Sequence, residues 1–222
     1  MTVLLAAALQ GCAFVGADCA RTNLQSAATD TAEKTISVAP GIVGAKFGYA
    51  GPADDIWQQI LALPEEERAS IPTLLAKASA MGKPIYEERR ATFAARGLGD
   101  YGMTLFFASW DANKGSGIHW IDFKMDAGVP VSLWYSGVEL YVAQGPAGVQ
   151  QLAEHAFHLS KPNGTQEAVD AELWLVRYIL FARGISPEKL GLPASLRMVG
   201  PGGETYHVIP EGTAGGSLIL PL

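Results

Sequence analysis

The order of strand and helix signals along the 222 residues predicts an α+β fold: two mainly antiparallel sheets with helices layered over them. Three observations carry this. Short apolar runs come in pairs split by glycine-containing turns, the signature of hairpins. The helical segments are grouped between those pairs instead of alternating with single strands, which argues against βαβ units. No repeat, low-complexity tract or linker interrupts the chain, so one domain over 1–222 is expected.

The first pair of runs is 2–8 and 12–17, split by Gln10-Gly11. The second is 36–38 and 42–47, split by Pro40-Gly41. Gly48 to Gly51 breaks the strand. Pro52 with Asp54-Asp55 then suits a first helical turn, where proline and acidic side chains are favoured. Ile56, Ile60, Leu61 and Leu63 keep helical spacing up to Pro64. Residues 70–96 are helical in composition, and Pro72 and Gly82-Lys83-Pro84 are expected to divide them. Residues 103–110 and 118–123 read as paired strands joined by a turn over 112–117. Asp126-Ala127-Gly128 turns the chain into the run 129–143. Gly145-Pro146 opens a helix carrying Val149, Leu152, Ala153, Ala156 and Leu159, followed by a loop over 161–164. A second helix over 165–182 turns Ala168, Leu173, Val176, Ile179 and Leu180 inward. Residues 196–199 and 206–209 flank Gly200-Pro201-Gly202-Gly203 as a late hairpin, and 217–222 supply an edge strand.

Composition narrows the function. Apolar residues make up 49% of the chain, enough for a sizeable core. The net charge of −6 lacks the basic excess of a nucleic-acid footprint, so no nucleic-acid partner is expected. No apolar run reaches the roughly 18 residues needed to span a bilayer, so no membrane partner is expected either. Cys12 and Cys19 form no CxxC spacing and imply neither a disulfide framework nor a zinc site; a reducing, cytoplasmic compartment is the simpler reading. Leu9-Gln10-Gly11 before Cys12 resembles a lipoprotein cleavage signal, which makes an exported binding domain the rival from another class. The first positive side chain is Arg21, beyond that cleavage point, whereas a signal peptide carries its positive charge ahead of the apolar stretch.

The chemistry concentrates near the start. With Met1 removed, Thr2 carries a hydroxyl nucleophile and a free α-amine on one residue, and the amine can act as the base. Asp18 follows sixteen residues later, Lys34 sixteen after that, and Gly48 stands in the strand-to-helix turn just beyond. Singly, each has an ordinary explanation: a second residue suited to initiator removal, a strand-ending aspartate, a solvated lysine. Jointly the spacing is a motif whose confirmation is its structural context.

Thr2-Val3, Gly16-Ala17-Asp18, Thr22, Glu33-Lys34-Thr35-Ile36 and Gly44-Ala45-Lys46-Phe47-Gly48 resemble the proteasome β-type subunits, which are N-terminal-nucleophile hydrolases. Residues 105–111, the strand 117–123 and Asp126-Ala127-Gly128 are similar to that family's central hairpin. The resemblance is good over about the first fifty residues, fair through Gly145 and weak beyond. It implies a four-layer αββα sandwich of the Ntn-hydrolase type. It also implies a threonine peptidase acting on peptides or unfolded proteins inside a homo-oligomeric ring or double ring, with no cofactor. Thr2 would be the nucleophile, and Lys34 would lower the proton affinity of its amine or hydroxyl. Asp18 would orient Lys34 and keep it charged, and the Gly48 N–H would face the oxyanion. Thr22 and the turn from Gly48 to Ala50 would bind the substrate main chain as an added strand. Lys46, two residues before Gly48, would form a specificity-pocket floor with Arg21 beside it and favour acidic side chains; the alternative is that Lys46 snorkels to solvent.

The chain departs from the family pattern in two places. Gly145-Pro146-Ala147 stands where a Gly-Ser-Gly is usual, and Arg183-Gly184 where an Arg-Asp pair is usual, with Ser186 as the serine that follows. A catalytically weak or silent ring subunit is therefore the second reading. His155 and His158, at i and i+3 on one helix, supply half a metal site at most, and no metal is expected. His119 and His207 read as ordinary strand residues. Cys19 is either a reactive thiol beside a positive group or a small side chain at a turn, and Trp120, Trp134, Tyr135 and Tyr141 read as aromatic packing between strands or at a subunit contact.

Overall fold

The structure is a computed structural model describing residues 2–22, 29–97, 99, 100, 102–145, 148–160, 171–185, 190 and 192–211. It is α+β, with two five-stranded antiparallel sheets. The first sheet has the order β10-β1-β2-β11-β12, built from β1 (Leu4–Leu9), β2 (Cys12–Asp18), β10 (Leu140–Gln144), β11 (Ala194–Gly200) and β12 (Gly203–Ile209). The second runs β5-β6-β7-β8-β9, from β5 (Thr35–Ala39), β6 (Ile42–Gly48), β7 (Met103–Asp111), β8 (Gly115–Asp122) and β9 (Pro130–Trp134). A short ribbon pairs β3 (Ala20–Thr22) with β4 (Thr29–Thr31). The helices are α1 (Ala50–Leu61), α2 (Glu65–Arg68), α3 (Ile71–Ala95), α4 (Val149–Ser160) and α5 (Ala171–Ile185).

Strand β1 explains the layering. Val3, Leu5, Ala7 and Leu9 pack with Ala153, Phe157, Trp174 and Ile179 of α4 and α5. Leu4, Ala6 and Ala8, on the opposite face, pack with Val43, Ala45, Phe106 and Ile118 of the second sheet. Side chains alternate faces along a strand, so a strand buried on both faces reads as one continuous apolar run. Strand β7 does the same from the other side. Leu105 and Phe107 meet Ile56, Trp57 and Leu74 of α1 and α3, while Phe106 and Ala108 face the first sheet. The two sheets thus pack face to face, with a helix pair on the outer face of each.

The four hairpins fall where the turns predict them, with Gly11 and Gly41 at φ +88 and +76, values only glycine adopts freely. Five expectations need correction. Helix α1 already begins at Ala50, so Asp54-Asp55 lie beyond its first turn. Residues 71–95 form one undivided helix through Pro84, because the helix is held by its packed face: Leu74, Leu75, Ala78 and Tyr86 are buried. Strand β8 begins at Gly115, inside the expected turn. The run 129–143 is two strands that cross between sheets, β9 at an edge of the second and β10 at an edge of the first. On α5, Leu173 and Leu180 are half-buried while Ala171, Trp174, Leu175 and Tyr178 line the core beside Val176 and Ile179; the helix is apolar around most of its circumference, so its pattern fixes no single face. The loop over 161–164, Ala168 and the rest of 165–170, Ser186 and the edge strand expected over 217–222 lie outside the described residues. Among the described residues no helix is long and apolar enough to cross a membrane.

Candidate active site

Three elements bring Thr2, Asp18 and Lys34 together. Thr2 leads into β1, Asp18 ends β2, and Lys34 precedes β5. Pairing within the β1–β2 hairpin sets Leu4 against Ala17 and so lays Asp18 beside Val3. The Val3 N–H donates to Asp18 Oδ1 at 2.7 Å, and the Asp18 N–H donates to the Val3 carbonyl at 3.2 Å. Lys34 reaches in from the second sheet. Its Nζ donates to Thr2 Oγ1 at 3.0 Å, to Asp18 Oδ1 at 3.1 Å and to the Ala20 carbonyl. The three donor positions of an ammonium match these three acceptors.

The pair is deeply set: Asp18 is 0% and Lys34 7% exposed, whereas Thr2 is half-exposed. Burial is the larger cause of shift for both partners. It pushes the Asp18 carboxyl up and the Lys34 ammonium down, each opposed by attraction to the other. Asp18 thus favours the charged form of Lys34 against the burial that works the other way. Asp18 Oδ2 is buried and has no donor among the described residues.

A second set of side chains backs this group. Thr35 Oγ1 lies 3.0 Å from Ser195 Oγ and donates to Glu33 Oε1 at 2.5 Å, and the Tyr206 hydroxyl donates to Glu33 Oε2 at 2.5 Å. Cys19 lies buried with its thiol 3.9 Å from Ser195 Oγ, and burial pushes the thiol up, the behaviour of a packed side chain and not of a reactive thiolate. Ser195 gave no signal in the sequence, because its place depends on β11 pairing with β2. A Cβ on Gly145 would meet the Tyr178 hydroxyl at 3.3 Å and the Thr2 carbonyl at 3.6 Å, so the start of the Gly145-Pro146-Ala147 segment runs beside Thr2. Pro146, Ala147 and Ser186 lie outside the described residues, and Arg183 and Gly184 are exposed near the end of α5.

Gly48 ends β6 at φ +91, and a Cβ there would lie 2.3 Å from the Gly102 carbonyl oxygen, so the position is closed to any other residue. It is tied to the Lys34 side of the group through β6: the Lys46 N–H donates to the Lys34 carbonyl at 3.1 Å. The Lys46 ammonium pairs with Asp54 on α1, at exposures of 12% and 38%. Lys46 therefore neither snorkels freely nor stands as an isolated cation. Ala50 is the first residue of α1 and half-buried. Arg21 and Thr22 lie in β3, paired with Asp30 and Thr29, and their side chains lie outside the described residues.

Among the described residues no three His, Cys, Asp or Glu side chains are arranged to hold a metal. The His155 ring packs on Phe181 and His158 approaches Glu154 at 3.8 Å. No protein-family model matches the chain, and no curated protein matches it either.

Proposed function

We propose that the protein is an N-terminal-threonine amidohydrolase of the proteasome-like Ntn type, acting on peptides. The single observation that carries this is the contact of Lys34 Nζ with both Thr2 Oγ1 and Asp18 Oδ1 in a site where the threonine is reachable and the pair beneath it is not. The layering of helix pair, sheet, sheet and helix pair supports the αββα Ntn type.

The chemistry follows from removal of whatever precedes Thr2. The freed α-amine takes the hydroxyl proton as Thr2 Oγ1 adds to the substrate carbonyl carbon. The carbonyl oxygen becomes an oxyanion, for which the Gly48 N–H is the donor in this reading. Lys34 holds Thr2 Oγ1 in place and lowers the energy of the developing alkoxide. Collapse breaks the C–N bond, the leaving amine takes the proton from the ammonium, and an ester remains on Thr2. Water, deprotonated by the same amine, hydrolyses the ester and restores the hydroxyl.

In this reading the subunits form a ring of at least six copies with Thr2 facing the lumen, and the reaction takes place in the cytoplasm. Cleavage ahead of Cys12, as the lipoprotein reading requires, would remove β1, which is buried along its whole length between β10 and β2. The test is hydrolysis of fluorogenic peptide amides by protein whose first residue is Thr2. Thr2→Ala should abolish turnover and leave assembly unchanged. Full activity in Thr2→Ala would remove the nucleophile assignment. An inactive wild type that still assembles would favour the silent-subunit reading.

A further inference from the structure

The backbone around Gly48, whose N–H is the oxyanion donor in the proposed mechanism, is held by a polar cluster that the Thr2, Asp18 and Lys34 group does not include. Tyr49, the next residue, donates its N–H to the Gly102 carbonyl at 3.1 Å. That same carbonyl oxygen lies 2.3 Å from where a Gly48 Cβ would be. Gly102 itself sits at φ +73, and its N–H donates to Asp100 Oδ1 at 3.0 Å. The Tyr86 hydroxyl, from α3, lies 2.9 and 3.0 Å from the two oxygens of Asp100. Lys124 Nζ donates to the Asp100 carbonyl at 2.6 Å, and Arg90 Nε lies 3.7 Å from Asp100 Oδ2. The Tyr49 hydroxyl closes the cluster on the Gly99 carbonyl at 3.2 Å.

The Asp100 carboxylate is therefore the joint between α3 and two left-handed glycines, Gly102 ahead of β7 and Gly48 at the end of β6, which meet at the Gly102 carbonyl. Tyr86 is buried within the core under the second sheet, so its hydroxyl is a fixed point. Asp100 transmits that position to Gly102, and Gly102 to the backbone at Gly48 and Tyr49. We infer that Asp100 and Tyr86 are positioning residues for the oxyanion-binding turn, acting through Gly102. This inference rests on the hydrolase reading for its chemical consequence and on the hydrogen bonds alone for the clamp. A displacement of about 1 Å in a donor of this kind costs on the order of 100-fold in rate.

Two measurements test it on the full chain. The first is turnover of peptide amides. Asp100→Ala and Tyr86→Phe should each lower kcat by about 100-fold with KM within about two-fold, because the donor acts on the transition state and not on the bound ground state. A peptide boronate, which becomes tetrahedral on Thr2, should lose affinity by the same factor as kcat. Asp100→Asn keeps an acceptor for the Gly102 N–H and should recover most of the rate. Unchanged kcat in folded Asp100→Ala, or a loss lying wholly in KM, would overturn the inference. The second measurement is amide hydrogen exchange at Tyr49. Asp100→Ala should speed it at least 10-fold while exchange in β1 and β7 stays slow, and unchanged exchange would overturn the clamp. A wild type without amidase activity defeats the hydrolase reading, and the exchange rates still decide the clamp.

Discussion

At Thr2, Asp18 and Lys34 a costly arrangement is concentrated in three side chains. Removing one partner of a buried charge pair leaves the other unpaired, at a cost of about 3 kcal/mol or more. Lys34→Met should therefore destabilise the protein by about 3 kcal/mol in chemical denaturation. Lys34→Met combined with Asp18→Asn should recover part of that loss, since the neutral amide leaves no unpaired charge and keeps an acceptor for the Val3 N–H. Both variants should be inactive, which separates the chemical role from the structural one. A second buried residue sets a pH dependence. His119 is fully buried between Ser109 Oγ, 2.8 Å from Nε2, and Ser132 Oγ, 2.7 Å from Nδ1. Burial, helped by the Lys114 charge, lowers its pKa from 6.5 to about 4. The unfolded chain takes up a proton on this residue below pH 6.5 and the folded chain does not until about pH 4, so its contribution is complete above 6.5 and is lost between 6.5 and 4. The full loss is on the order of 3 kcal/mol. Denaturation at pH 7 and pH 5 should show the wild type losing stability, and His119→Phe, less stable at both, should lose less between them. Equal losses in the two proteins would contradict this.

Helix α3 makes a prediction at the scale of the element. Gly82 lies in its interior, and a Cβ there would sit 2.2 Å from Phe123 Cζ, a buried ring held against Tyr86. Alanine would gain about 1 kcal/mol of helix propensity. Overpacking against a rigid ring costs about 1–3 kcal/mol, so Gly82→Ala should be net destabilising by up to about 2 kcal/mol. A rise in Tm would show that Phe123 can move aside. This contact also explains why Gly82-Lys83-Pro84 misleads as a helix break. The glycine is required by close packing with Phe123, just past the end of β8, a non-local contact invisible in the segment itself. The β6–α1 junction makes a second prediction. Lys46 is paired with Asp54, and on the reading that Lys46 floors a specificity pocket this pairing weakens its pull on an acidic substrate side chain. Asp54→Asn should raise cleavage after glutamate relative to leucine, by about 10-fold if one ion pair of roughly 1.4 kcal/mol is redirected to substrate. Lys46→Met should reverse the preference. Cleavage after leucine that is equal or better in both wild type and Asp54→Asn would remove Lys46 from the pocket.

For the molecule as a whole, the hairpins were legible because strand periodicity and Gly-containing turns are local. Asp18 and Lys34 were legible only jointly, through their spacing from Thr2 and the family resemblance, since each alone reads as an ordinary strand-end residue. Ser195, Tyr206 and Asp100 were not, since each acquires its role only when a distant strand or helix packs beside it. The run 129–143 hid its division for the same reason: β9 and β10 are similar in sequence character, and only the sheets they join distinguish them. The proposed ring is tested at this scale too. Light scattering at micromolar concentration should give a cyclic oligomer of at least six copies, and a monomer would contradict the ring. The most direct test of the central claim is acid quenching during turnover of a peptide substrate, followed by peptide mapping by mass. The account predicts an acyl group in ester linkage on Thr2 of a chain whose first residue is Thr2. Steady turnover with no acyl group on Thr2, or with the group on another residue, would contradict it.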